Sequence, residues 1–63
     1  MRAFPLTQRE WALMRHAALR HEAQSCLSRA RVTETVCARS ALLHCARTAG
    51  RLAREWWALA NAG

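Results

Sequence analysis

The chain reads as all-α, an antiparallel two-helix hairpin that dimerises into a four-helix bundle. Three observations predict this. A helix-start signature stands at Thr7, and apolar residues then recur at alternating spacings of three and four. That rhythm changes phase once, beside the β-branched residues Val32, Thr33, Thr35 and Val36. With 63 residues the chain forms at most one domain, spanning 1–63, and buries little surface alone.

The first element starts at Leu6-Thr7-Gln8-Arg9-Glu10-Trp11. Thr7 and Glu10 fit a capping box, in which each side chain accepts the other's free backbone N–H. Leu6 and Trp11 hold the two staple positions, and Pro5 falls just outside, where its missing N–H costs nothing. Helix 1 is therefore expected over about 8–30. Its seam is Ala12, His16, Leu19, Ala23, Cys26 and Ala30, reinforced by Leu27. Continuing that seam would bring Cys37 and His44 inward. The next heptad row instead runs through Thr35, Ala38, Leu42, Cys45, Ala49, Leu52, Trp56 and Leu59. The phase break predicts a tight turn at about 31–33, with Thr33 capping a second helix whose first residue, Glu34, suits the dipole.

Helix 2 is expected over about 34–60. Gly50 could end it in the left-handed conformation, but the heptad phase survives from Ala49 to Leu52 and Trp56. A mid-helix glycine costs only about 1 kcal/mol against alanine. The reading is therefore a continuous helix, closed by Asn61-Ala62-Gly63.

A second row lies beside the first on helix 2: Val36, Arg39, Leu43, Ala46, Gly50, Ala53 and Trp57. Helix 1 has a shorter counterpart in Trp11, Met14 and Ala18, continued by His21 or Ser25. A hairpin has one internal interface, so these second rows are expected to face a partner. Self-association into a homodimer is the plain reading, and docking on a different protein is the sharper one. In layout alone, with no shared motif, the arrangement resembles the plasmid Rop-type hairpin dimers.

Ten Arg and no Lys stand against four Glu, for a net charge of +6. The excess suits an acidic partner, although Arg- and Ala-rich composition also follows from a GC-rich genome. Arg51 and Glu55 make the only i,i+4 pair of opposite charge, in the less favourable order. Arg47, Arg51 and Arg54 line one face of helix 2, a row that suits phosphates or carboxylates and could equally be an ordinary wet face. Arg9, Arg15, Arg20 and Arg29 on helix 1 read as scattered. Of the three Trp, Trp56 reads as core, Trp11 as half staple and half interface, and Trp57 as a binding anchor. The candidate partner-binding set is Arg47, Arg51, Arg54, Trp57, Trp11, Met14 and Leu43.

Other chemistries are expected to be absent. The three Cys are an odd count without CxxC spacing, which points to free thiols in a reducing cytoplasm. Cys26 and Cys45 read as small apolar seam residues, and no four ligands converge for zinc, so neither metal nor cofactor is expected. The four Glu form no carboxylate pair, and two helices offer no catalytic pocket. No secretory signal or membrane span is visible, and Glu within the helical patterns argues against a transit peptide. The expectation is a small non-enzymatic regulator or inhibitor that binds a larger protein. The alternative is a basic nucleic-acid binder using the Arg row of helix 2. Size and composition suit a phage or mobile element as the source.

Overall fold

A computed structural model describes residues 6–62. Helix α1 spans Gln8–Val32 and helix α2 spans Val36–Ala60. They pack against each other along their length, antiparallel, with Arg9 reaching Ala60 and His16 reaching Ala53 across the interface. Pro5 and Gly63, assigned to the outer edges of the helix ends, lie outside the described residues.

The start of α1 is as the sequence reads. The Glu10 amide donates to Thr7 Oγ1 at 3.1 Å, and the Thr7 amide donates to Glu10 Oε1 at 2.9 Å. The turn falls later than expected. α1 continues through Arg31 and Val32, and Thr33 closes it, its hydroxyl donating to the Arg29 carbonyl at 2.6 Å. Thr33 therefore caps the end of the first helix rather than the start of the second. The N-cap of α2 is Thr35, whose side chain makes no capping bond. In its place Arg39 ties the turn down, donating from Nη2 and Nε to the Thr33 carbonyl at 2.9 and 3.3 Å. The β-branched residues weaken helix formation, yet the chain breaks only where a hydroxyl offers the backbone another partner.

Moving the turn shifts the pairing of the helices by about one helical turn. His16 lies against Ala53, not near Ala49 as a turn at 31–33 would place it. α2 is also rotated about its axis. Its interface row is Leu42, Ala46, Ala49, Ala53, Trp56 and Ala60, in which the four alanines are buried and Leu42 and Trp56 half-buried. Thr35, Ala38, Cys45 and Leu59, all expected in the seam, are exposed. Ala46 and Ala53, expected to face outward, are inside. The seam of α1 stays where it was expected, with Ala12, Cys26 and Ala30 buried and His16, Leu19 and Ala23 half-buried, except that Leu27, expected to reinforce it, turns out to the surface.

Side-chain size explains the rotation. Interaxial distance depends on the side chains at the contact, and an alanine-lined face lets two helix backbones approach closely. The larger residues Leu43, Leu52 and Trp57 then close the two edges of the seam. The resulting core is thin. Among the described residues the buried set consists of alanines and Cys26, with no Leu, Trp or Met in it. Gly50 lies within unbroken helix. No described helix is long and apolar enough to cross a membrane.

Candidate functional site

The antiparallel packing gives the hairpin two unlike broad faces. The face carrying the second row of α2 is built from His16, Arg20, Gln24, Leu27 and Arg31 on α1. Trp57, Arg54, Gly50, Leu43 and Arg39 oppose them on α2. Residues three to four apart share a helix side, so each set is continuous.

Toward the end of this face away from the turn, His16 joins the helices. Its Nδ1–H donates to the Ala53 carbonyl at 2.9 Å, the tautomer a carbonyl requires because it can only accept. The His16 ring also lies 5.0 Å from the Trp57 ring at 44°, a tilted contact that holds the indole in place. Trp57 remains 50% exposed. Beside it is a shallow recess of about 260 Å³ bounded by His16, Arg20, Arg54 and Trp57. This adjoins a groove of about 320 Å³ floored by Ala23, Gly50 and Ala53 and edged by Gln24. Nearer the turn, Leu27, Leu43, Ala30, Arg31 and Arg39 line a third recess of about 240 Å³.

No carboxylate lines any of the three. Arg20 and Arg54 thus share a recess without a counter-charge, and an anionic group placed there would relieve their mutual repulsion. The other broad face differs. Its recess is lined by Leu19, Leu52, Glu22, His44, Cys45 and Thr48, with the Arg15 guanidinium 6.0 Å from the centre of the Trp56 ring.

The structure separates the residues assigned to a site from the sequence. Arg54, Trp57 and Leu43 line the Arg-rich face. Arg47 is exposed at its outer margin. Arg51 points away and pairs with Glu55 at 3.4 Å, the one ion pair among the described residues. Trp11 and Met14 are half exposed but lie round the α1 axis from His16, so they do not share a surface with Trp57. Arg9 is also spent, its Nε donating to the Ala60 carbonyl at 3.2 Å, one of the carbonyls a helix end leaves unpartnered.

Gly50 was read in the outer row of α2, but sequence reasoning missed His16, Arg20 and Gln24 as parts of a site. Their common signal is the hairpin register, since only the correct turn sets Arg20 beside Arg54. Cys26 is a free buried thiol, and Cys37 and Cys45 are free and exposed. Among the described residues no cluster of three or more His, Cys, Asp or Glu could hold a metal ion. No protein-family model matches the chain, and no curated protein or solved structure matches it significantly.

Proposed function

We propose that this chain is a non-enzymatic binding protein, a regulator or inhibitor that covers an acidic surface of a larger protein. The observation that carries this reading is the groove in which Arg20 and Arg54 flank a half-exposed Trp57 with no carboxylate alongside. Trp and Arg dominate binding energy at protein interfaces, and Trp57 is already oriented by His16, so little of its freedom is left to lose on docking. Leu27 and Leu43 further along the face favour a protein over a nucleic acid, because aliphatic side chains offer bases no stacking platform.

The same reading includes a homodimer, in the form of a four-helix bundle. A core of alanines and one cysteine stabilises a hairpin weakly, while Trp11, Met14 and Leu59 remain half exposed or more. Two Arg-rich faces would repel each other, so a second copy packs on the opposite side, leaving the groove for the target.

The test is capture from host lysate with the tagged chain, with and without nuclease. The expected result is a protein that survives nuclease treatment and is lost with Trp57→Ala and with the paired change Arg20→Gln, Arg54→Gln. Capture abolished by nuclease, with an affinity that falls steeply as salt rises, would overturn the protein-binding reading in favour of nucleic acid.

A further inference from the structure

Two apolar anchor points stand at the ends of the Arg-rich groove. One is Trp57 on His16, and the other is the pair Leu27 and Leu43. From His16 to Leu27 is eleven residues, or about 16 Å of helix. Each anchor carries its own cation, Arg20 and Arg54 at the first and Arg31 at the second. Between the anchors the floor is bare at Gly50, where an added Cβ would meet nothing within 4 Å.

We propose that this groove receives an acidic amphipathic helix of the partner protein, docked as a third helix against α1 and α2. The inference rests on the acidic-protein reading above and adds the form of the bound segment. Charge complementarity selects acidity, since the groove has cations and no carboxylates. Backbone hydrogen bonding selects the helix. The groove walls are two helices whose main-chain groups already bond within themselves, so an extended segment would find no ladder to join. A helix satisfies its own backbone and needs only side-chain contacts. Its apolar residues would lie about three turns apart, one against Trp57 and one against Leu27 and Leu43. Its backbone would pass closest to the hairpin at Gly50.

The experiment uses the full chain and a labelled synthetic peptide of about 18 residues, five helical turns. The peptide is built of Glu and Ala with two Leu eleven positions apart, and binding is read by fluorescence anisotropy. A second peptide of the same composition carries a central Pro, and a single-stranded oligonucleotide is the third probe. The expected result is binding of the first peptide with a gain of helical circular dichroism. Gly50→Leu should weaken it by about tenfold or more, a step of one decade in Kd, while the melting temperature of the hairpin does not fall. Equal binding of the Pro-containing peptide would overturn the helical segment and leave the acidic-protein reading standing. Binding of the oligonucleotide alone would overturn both.

Discussion

At the scale of single residues, Thr7 and His16 support the hairpin in different places, one at the start of α1 and one between the helices. Thr7 satisfies an amide that would otherwise lack a partner at the start of α1. Thr7→Ala should lower stability by about 1 kcal/mol, read as a reduced melting temperature with binding unchanged. His16 acts between the helices, bonding the Ala53 carbonyl and supporting Trp57. His16→Ala should cost about 1 kcal/mol for the lost hydrogen bond, and it should also weaken partner binding by releasing the indole. His16→Phe restores a ring without the donor, so recovery of binding without recovery of stability would separate the two roles. The arginines divide similarly. Arg51 is paired with Glu55 on the outer side of α2, and exposed pairs of this kind contribute little. Arg51→Gln should leave both stability and partner affinity nearly unchanged, whereas Arg54→Gln should reduce affinity in a salt-dependent way. Equal losses from the two would move the binding surface to the outer side of α2.

At the scale of the helices, α2 shows how small residues choose a face. Its apolar residues span a wide arc, so periodicity admits two adjacent seams, and Ala46, Ala49, Ala53 and Ala60 settle the choice by permitting the closest approach. Gly50 lies just beside that row and fills no packing role within the hairpin, because nothing is near its missing Cβ. Gly50→Ala should therefore raise the stability of the free chain by about 0.8–1 kcal/mol through helix propensity. Thermal denaturation checks this. A fall in stability would show that the glycine serves a contact within the fold.

At the scale of the whole molecule, a thin core and exposed apolar side chains make association part of stability. If the chain dimerises, its melting temperature should rise with protein concentration, and sedimentation equilibrium should give twice the chain mass. Leu59 is 60% exposed on the side away from the Arg groove, so Leu59→Glu should shift the chain toward monomer and spare target binding. A chain that sediments as a monomer at all concentrations would remove the four-helix bundle from the proposed function.

What was legible from residue order is what depends on neighbours in the chain. The Thr7–Glu10 cap, the seam of α1, the continuity of α2 across Gly50 and the hairpin itself follow from local hydrogen bonding and helical periodicity. The candidate site was legible only in part. Trp57, Arg54 and Leu43 stood out by type, but their neighbours across the groove did not. The turn's position depended on a competition that spacing cannot resolve, between a Thr33 hydroxyl starting a new helix and the same hydroxyl closing the old one. The closing bond won, and the register moved by a turn. Packing then rotated α2 onto its alanines, since close approach of two backbones is a property of both helices together. Those two tertiary outcomes placed Arg20 beside Arg54, with His16 beneath Trp57. Arg20, one of the helix 1 arginines that looked scattered, joined Arg54 in a carboxylate-free face only after the helices met.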